Sequence, residues 1–508
     1  METELKLKID AIDRSRIYEH PLLVDNARAV PSEHQLVDTY YDTKKLDLWR
    51  HGVTLRVRED GLSEEGSIRT QTVKTASVSS ASLHQRGEWE SALSSAVPQP
   101  SEIARQIKVE RIAKLLRSPN VAEHLYPIFT NTTHRTIWNL DLPDGQQVEC
   151  SLDSGNIDCR GQNLPIEELE FELKKGNPTQ LFDLALALHR DIPLELSNDS
   201  KAARGYAMLE NRPPEPVKAG RVKLLPKMSL ENAFRCMGFN CLQQMEANMP
   251  GVLNQSVESL HQMRVGLRRL RALLDMFEPL AKLPPEVRVS LDWLAGELGA
   301  TRDWDVLATS TLDEITTPNQ GRLVALATTQ ARSLHQTLVL SLHEPRYTEL
   351  LLQLNGWLHG RAWRKEEHLS KKSALAKRAV DGMTPLLKKA EKRLISRVNS
   401  ANQHDASARH RVRIAAKKAR YAAEFFSDLL PNKAVKHYIS ALSQLQDRLG
   451  SLNDLEVAKT LLSGITEPSS TQDGALAIGY IGLKLQQNTK GLASLFRTTG
   501  RLRMASYK

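Results

Sequence analysis

The stretch LENRPPEPVKAGRVKLLPKM at 209–228 divides the chain into two parts with different hydrophobic periodicity. Before it, short runs alternate apolar and polar residues, which is the pattern of β-strands. After it, apolar residues recur every three or four positions over long stretches, which is the pattern of amphipathic helices. With four prolines, the stretch itself reads as an extended linker. We therefore predict domains at 1–208 and 229–508 joined by a linker at 209–228.

The two parts also differ in charge. Residues 1–210 hold 25 Lys and Arg against 33 Asp and Glu, whereas the other residues hold 44 against 27. The basic part is suited to a polyanion such as polyphosphate or nucleic acid. No apolar run is long enough to span a membrane, and the start of the chain has no signal-peptide pattern. The four cysteines show no CxxC spacing, so we expect a reducing cytoplasm and no zinc ribbon.

The strands of the first part carry charges of both signs on one face. The chain opens METELKLKID, in which Glu2, Glu4 and Lys6 alternate with leucines or threonine. The same alternation recurs in later runs. Their charged positions are Arg56 and Arg58; Arg86, Glu88 and Glu90; Glu149 and Asp153; and Glu168, Glu170 and Glu172. A single such strand fits the solvated edge of an ordinary sheet. Repetition across several strands suggests that the charged faces converge inside a closed barrel.

Charge balance indicates what such an interior would bind. Crowded carboxylates repel one another, and divalent ions such as Mg²⁺ or Mn²⁺ prefer their hard oxygen atoms. Arg and Lys beside them match the oxygen atoms of phosphate groups. A tunnel that binds metal ions and a polyphosphate is consistent with both sets of charges.

Ordered motifs give the first part a resemblance to the CYTH family of triphosphate tunnel metalloenzymes. Glu2-Thr-Glu4-Leu-Lys6 matches the ExExK signature of that family. The later blocks follow in the family's order: TYYDT (39–43), LRVR (55–58), TVK (72–74), RGEWE (86–90), HRT (134–136), SLDSG (151–155), ELEFELK (168–174) and SKAARGY (200–206). The resemblance implies an α+β domain built on an eight-stranded antiparallel tunnel, with Mg²⁺ or Mn²⁺ acting on triphosphate substrates.

The resemblance also implies roles for the charged positions. The implied metal ligands are Glu2, Glu4, Asp153, Glu170 and Glu172. The implied substrate-binding residues are Lys6, Arg56, Arg58, Lys74, Arg135, Lys201 and Arg204. Glu88, Glu90 and Glu168 are the candidates for positioning the attacking water, or for completing a second metal site. The role of residues 91–127, between two strands, is left open.

The second part contains an internal repeat. His261, Arg264, Arg268 and Arg271 align with His410, Arg413, Lys417 and Arg420 in the pattern H-x-x-R-x-x-x-[RK]-[RK]-x-R. LGATRDWDV (298–306) and LGSLNDLEV (449–457) form a second matching pair. The repeat predicts duplicated four-helix bundles related by a pseudo-twofold axis.

Each repeat presents four basic or chargeable groups on one helix face, within an arc of about 80°. Like charges so arranged repel one another. Two interpretations are open: the groups pair with Asp303, Asp305 and Asp454, or two facing basic stripes hold a polyanion. The second part resembles the CHAD family, which implies an all-α domain that binds inorganic polyphosphate through these eight residues.

The order CYTH then CHAD resembles bacterial inorganic triphosphatases. The expected function is metal-dependent hydrolysis of tripolyphosphate to pyrophosphate and phosphate, with long-chain polyphosphate on the second domain and no membrane partner. Alternatives left open are a thiamine or nucleoside triphosphatase, an adenylate cyclase, and a non-catalytic adaptor for polyphosphate or nucleic acid.

Overall fold

The computed structural model describes residues 2–61, 68–75, 82–315, 320–365, 374–465 and 468–504 of the 508-residue chain. Its strands are β1 (Glu2–Lys8), β2 (Ser32–Asp42), β3 (Val53–Asp60), β4 (Ile68–Thr75), β5 (Leu83–Arg86), β6 (Glu88–Leu93), β7 (Tyr126–Leu142), β8 (Gln146–Cys159), β9 (Gln162–Lys175) and β10 (Glu195–Leu196).

The helices before the proline-rich stretch are α1 (Arg14–Tyr18), α2 (Pro21–Val24), α3 (Asp47–Arg50), α4 (Pro100–Ile103), α5 (Glu110–Arg117), α6 (Pro119–Ala122), α7 (Thr179–His189) and α8 (Lys201–Glu210). Those after it are α9 (Leu230–Leu253), α10 (Val257–Phe277), α11 (Pro285–Val306), α12 (Gln320–His343), α13 (Pro345–Gly360), α14 (Ala379–Asn399), α15 (Ala406–Phe425), α16 (Asn432–Ser463), α17 (Pro468–Thr489) and α18 (Leu492–Arg501). The periodicity change across 209–228 thus corresponds to a change from mixed to helical structure.

The strands form one antiparallel sheet that returns on itself. Its order runs β1, β9, β8, β7, β2, β3, β4 and β6, while β5 pairs with β1. Because Gly87 alone separates β5 from β6, these two act as one bent strand that joins β4 to β1. Counted this way, eight strands enclose an interior, as the sequence predicted.

Alternation along the strands separates an apolar outer face from a charged inner face. On the outer face Trp138, Phe171 and Leu152 pack with residues of α7 in one buried cluster. A second outer cluster contains Leu55 and Val73 of the sheet and Ile112 of α5. The segment 91–127 therefore supplies helices that cover one side of the barrel, a role that the sequence did not reveal.

Helix α8 packs an aromatic group against β7 and α3. The Tyr206 ring lies against Trp49 with 4.3 Å between ring centroids, and its hydroxyl donates to Asp42 at 2.9 Å. Gly205 is required here, because a Cβ atom would lie 2.3 Å from the Phe129 ring. This packing fixes the helix that carries Lys201 and Arg204 toward the interior.

The chain forms two compact units, and their composition differs in one respect from the predicted boundaries. The first unit contains residues 1–213 together with 345–360, and the second contains 214–344 and 361–508. Helix α13 thus belongs to the tunnel unit, although its sequence lies in the helical half. Leu352 of α13 joins the outer cluster, and His189 Nε2 lies 2.8 Å from the Pro345 carbonyl oxygen. Residues 505–508 of the predicted second domain lie outside the described residues.

The second unit is helical and repeats its order. Helices α9 to α12 correspond to α14 to α17, and the equivalent helices contact one another in pairs, including α10 with α15. The repeat extends to the helix caps: the Ser256 side chain accepts from the Ser259 amide before α10, and Asp405 accepts from the Ser407 amide before α15. The predicted all-α duplicated architecture is confirmed. Within the described residues, no helix is long and apolar enough to cross a membrane.

Candidate active site of the tunnel and the basic helices

Three carboxylates converge in the interior of the tunnel. Asp153 of β8 lies opposite Glu168 of β9, and Glu170 follows two residues later on the same face. One oxygen atom from each lies within 4.8 Å of the others. Asp153 and Glu168 are fully buried, so their charges are not dispersed by water.

Cations from three elements surround this cluster. Lys6 of β1 contacts Glu170, and Lys201 of α8 lies 2.7 Å from Asp153 and 2.6 Å from Glu168. Arg135 of β7 donates from both Nε and Nη2 to Asp153 at 2.6 Å. Burial alone would raise the pKa of Glu170, but Lys201, Lys6 and Arg135 outweigh it and hold that pKa well below its usual range. The Glu170 carboxylate is therefore ionised.

The start of β1 forms a second group of charges. Arg86 of β5 contacts both Glu2 and Glu4, since Glu2 lies directly opposite Arg86 in the sheet. Lys74 of β4 lies 3.4 Å from Glu2 and 2.8 Å from Glu88. The predicted residues of β1, β4 and β6 therefore come together, and Arg86, which the sequence left without a role, joins them.

Sequence reasoning missed Asp38 of β2. It is buried and accepts from Arg58 Nε at 2.7 Å and Nη2 at 2.9 Å, with Arg56 Nη1 at 3.3 Å. Burial alone would raise its pKa, yet the two arginines lower it. The pairing register of β2 with β3 explains the role of Asp38, because it places Asp38 opposite Arg58. That register cannot be read from the sequence of either strand alone.

Glu172 has a different environment from Glu170. It lies opposite Glu4 on β1 and opposite Glu149 on β8, and Lys174 contacts it at 3.0 Å. Burial raises the pKa of Glu172, and Glu2 and Glu149 raise it further against the opposing effect of Lys174. This surplus of carboxylates would be relieved by a divalent cation.

The three candidates for positioning water are held differently. Glu168 contacts Arg204 and Lys201, and Glu88 contacts Lys74. The Glu90 side chain is about half exposed and accepts from Thr72 Oγ1 at 3.0 Å, with Arg56 Nη2 at 4.0 Å. Of these three described carboxylates, Glu90 thus has the weakest contacts with cations.

The donor set fits a divalent metal ion. Asp153, Glu168 and Glu170 offer hard oxygen ligands in close proximity, which is the preference of Mg²⁺ and Mn²⁺. Two of these are predicted ligands, while Glu168 was predicted to act on water. The other predicted ligands, Glu2, Glu4 and Glu172, lie on the neighbouring β1 and β9 positions of the same inner face.

In the second unit the first basic stripe is partly paired. Arg264 donates to the Gly299 carbonyl at 3.0 Å and to Asp303 at 3.2 Å, and Arg271 donates to Asp292 at 2.6 Å. Asp305, a predicted partner, instead lies 3.0 Å from the buried His335. The pairing interpretation therefore holds for Arg264 with Asp303 but not for Asp305.

The basic residues in the middle of the two stripes are Arg268 on α10 and Lys417 on α15. Among the described residues, Arg268 and Lys417 have no hydrogen-bond or ion-pair partner, and Nε of Arg268 and Arg413 are buried without an acceptor. Burial, reinforced by Arg413, Arg268 and Arg264, lowers the pKa of Lys417 to about 6, while Asp454 opposes this. The two stripes thus face one another closely enough for their charges to interact.

A cavity of about 440 Å³ lies beside the second stripe, between α15 and α16. Its polar lining includes Arg409, His410, Arg413, Asn453 and Glu456. Arg409 is neutralised by Glu456 at 2.7 Å, and His410 Nδ1 lies 3.3 Å from Asn453 Oδ1. Arg411 also lines the cavity and lies 3.6 Å from Asp405, so among the described lining residues Arg413 is the arginine without an ion-pair partner.

Comparisons with known proteins identify one domain in each half of the chain. The chain matches the CYTH domain over residues 1–206 and the CHAD domain over 237–463, and it belongs to the proteins that combine a CYTH domain with a following CHAD domain. It is similar to the CHAD domain from the plant Ricinus communis, at 33% identity and a TM-score of 0.54, over 58% of this chain and 99% of that one.

It is also similar to an inorganic triphosphatase of Haemophilus influenzae, at 31% identity over 180 residues, 35% of this chain and 47% of that protein. The chain thus spans about half the length of the curated relative that it matches.

Proposed function

We propose that the tunnel unit is a divalent-metal-dependent inorganic triphosphatase that converts tripolyphosphate to pyrophosphate and phosphate. The observation that carries this proposal is the buried cluster of Asp153, Glu168 and Glu170 interleaved with Lys6, Arg135 and Lys201. Such an interior offers oxygen ligands to a metal and cations to a phosphate chain. The similarity to an inorganic triphosphatase and the CYTH match support it.

Asp153, Glu168 and Glu170, with Glu2, Glu4 and Glu172, would hold Mg²⁺ or Mn²⁺. A bound divalent ion would supply charge neutralisation at the phosphate oxygens. The protein's own cations would then turn from their carboxylates toward the substrate: Lys6, Arg56, Arg58, Lys74, Arg135, Lys201 and Arg204. They would hold the triphosphate extended and stabilise the charge that develops on the leaving pyrophosphate.

Hydrolysis requires a water molecule in line with the terminal phosphorus atom. Water attacks that atom, the bond to the bridging oxygen breaks, and pyrophosphate leaves with the bonding electron pair. We assign orientation of the water to Glu88, Glu90 or Glu168, and favour Glu90 because its carboxylate is the least engaged. The water proton passes to that carboxylate and then to solvent.

We further propose that the CHAD unit binds long-chain polyphosphate along His261, Arg264, Arg268 and Arg271 of α10 and His410, Arg413, Lys417 and Arg420 of α15. Arg268 supports this, since an anion would neutralise a charge that has no partner among the described residues, and an adjacent anion would favour the charged form of Lys417. A reducing cytoplasm is part of the proposal and agrees with four free cysteines.

The activity is tested by phosphate release from tripolyphosphate, ATP and thiamine triphosphate, with Mg²⁺ or Mn²⁺ and with EDTA. We expect release from tripolyphosphate that EDTA abolishes. Glu170→Gln removes a charge from the cluster and should abolish turnover, whereas the matched Glu167→Gln on the same strand, whose carboxylate contacts Arg14, should not. Lack of phosphate release from tripolyphosphate with either metal would disprove the proposal. Cyclic nucleotide formation from ATP would instead support a cyclase.

Polyphosphate binding is tested by titration at several salt concentrations. Because binding replaces small ions, the logarithm of the affinity should fall linearly with the logarithm of salt concentration. Arg268→Gln should weaken binding, whereas Arg393→Gln on the exposed surface of α14 should not. RNA that displaces bound polyphosphate at equal phosphate concentration would favour a nucleic-acid partner.

A further inference from the structure

Two neutral polar side chains in the tunnel have no partner. Asn131 and Thr133 of β7 are 0% and 2% exposed. Among the described residues, neither the Asn131 amide nitrogen, nor its oxygen, nor the Thr133 hydroxyl has a hydrogen-bond partner. Buried polar groups are nearly always satisfied in folded proteins. Both side chains can therefore form hydrogen bonds with a molecule that enters the tunnel.

The strand register places them on the inner face. Asn131, Thr133 and Arg135 alternate along β7, so their side chains share one face of the sheet. Asn131 lies directly opposite Asp38, the carboxylate that holds Arg58 and Arg56. Thr133 lies between Asn131 and Arg135. The neutral pair is thus situated between the Arg58–Asp38 pair and Arg135.

Two further unsatisfied groups carry N–H donors in the same unit. Nε of Arg56 and Nε of Arg204 are buried without an acceptor. Both arginines interact electrostatically with Tyr40, which follows Asp38 by two residues on the same inner face of β2. Together with Asn131 Nδ2 and the Thr133 hydroxyl, this part of the tunnel has a surplus of donors. The ligand that matches it is rich in acceptor oxygens.

The position opposite Thr133 on β8 is Gly155. A Cβ atom there would lie 2.0 Å from the Thr132 carbonyl oxygen, so the two strands approach too closely for any side chain. As a result, no side chain from β8 covers the Thr133 hydroxyl at this position. The nearest inward side chains along β8 are Asp153 and Ile157.

We propose that Asn131 and Thr133 form a neutral subsite that binds the oxygens of one terminal phosphate of the triphosphate chain, between Arg58 and Arg135. The inference rests on the proposed triphosphatase function and adds to it a residue pair that positions the end of the substrate. Neutral donors bind phosphate oxygens without forming competing ion pairs with the carboxylates of Asp153, Glu168 and Glu170.

Thr133→Val tests the subsite with almost no change in shape, and Thr132→Val is its matched control on the exposed outer face of the same strand. Binding of tripolyphosphate to the full-length protein is measured by calorimetry in EDTA, where no turnover occurs. Loss of one hydrogen bond to a charged oxygen predicts about tenfold weaker binding for Thr133→Val. Thr132→Val should bind as the wild type does, and Thr133→Ser should retain most of the affinity.

Asn131→Asp distinguishes the phosphate from a water molecule as the occupant. A carboxylate repels phosphate oxygens, so we expect at least tenfold weaker binding and a raised KM, whereas Asn156→Asp on the outer face should change neither. Unchanged affinity with a lowered kcat would show that Asn131 orients water and would overturn the inference. Thermal melting of each variant confirms folding, and Asn131→Asp keeps the test decisive if Thr133→Val does not fold.

The inference and the proposed function fail in different ways. If the wild type hydrolyses tripolyphosphate but Thr133→Val binds it as Thr132→Val does, the subsite is wrong and the activity stands. If the wild type binds tripolyphosphate without turnover and Thr133→Val weakens that binding, the subsite stands and the activity is wrong.

Discussion

Arg135 holds Asp153 through two parallel hydrogen bonds of 2.6 Å, from Nε to Oδ1 and from Nη2 to Oδ2. This geometry fixes the plane of the guanidinium as well as its distance. Its Nη2 also reaches Glu170 Oε2 at 2.9 Å. Arg135 therefore couples two carboxylates of the cluster, and a substrate phosphate would have to replace one of these bonds.

Arg135→Lys keeps the positive charge but cannot form the parallel pair. We expect kcat/KM for tripolyphosphate to fall about 10- to 100-fold, because orientation of the phosphate depends on the planar fork. Arg28→Lys is the matched control, since Arg28 makes the same two-bond contact with Asp141 on the surface. Equal kinetics for the two variants would show that Arg135 has no role in positioning substrate.

Glu172→Gln should raise the metal concentration needed for half-maximal activity by about tenfold, since one ionised ligand is lost. Because the pKa of Glu172 is raised, its protonation begins at a higher pH than that of an ordinary glutamate. Metal activation should therefore weaken on mild acidification in the wild type and change less in Glu172→Gln. Titration of Mg²⁺ and Mn²⁺ at several pH values measures both effects, with the exposed Glu123→Gln as control.

Polyphosphate binding should be coupled to proton uptake at Lys417. Its pKa of about 6 lies below the usual 10.5, so the free protein holds it neutral above pH 6. An adjacent anion favours the charged form and raises that pKa. Binding should therefore take up close to one proton and should weaken as pH rises from about 6 toward 10.

Calorimetry in buffers of different ionisation heat measures this proton uptake. Lys417→Met should reduce it, whereas Lys418→Met should not, since Lys418 is paired with Asp275. Proton uptake that persists in Lys417→Met would assign it to another group.

Leu352→Ala should destabilise the tunnel unit, although residue 352 lies far along the chain from the tunnel strands. Leu352 is fully buried in the outer cluster of that unit, and such truncations cost about 2–5 kcal/mol. Tripolyphosphate should raise the melting temperature of the tunnel unit, and Leu352→Ala should lower the temperature of that same transition. Glu349→Ala on the exposed face of the same helix should shift it little. A shift confined to the other transition would contradict the assignment of α13.

The inner charged face was predictable because alternation fixes which residues share a face. Glu168, Glu170 and Glu172 follow this rule, and the repeated habit in other strands indicated that the face points inward. Asp38 was not predictable in the same way, because its strand alternates Leu36, Asp38, Tyr40 and Asp42 on the buried side. A buried aspartate among apolar residues becomes intelligible only when the register supplies Arg58 opposite it.

In the helical unit, the repeat predicted the duplication but could not show which basic residues are neutralised. Arg264 and Arg268 look equivalent in sequence, yet Asp303 reaches only Arg264. Likewise, the helical periodicity that follows residue 228 does not indicate which surface α13 covers. Both outcomes depend on contacts between segments that are distant in the chain.

Inclusion of α13 in the tunnel unit changes how the two units are connected. The backbone passes between them at 213–214, at 344–345 and at 360–361. A protease that cuts only within 209–228 would therefore leave two intact connections, and neither unit would be released. Cleavage at the proline-rich stretch would yield a nicked protein that migrates as one species in native conditions, and its halves would keep the high effective concentration of a tethered pair.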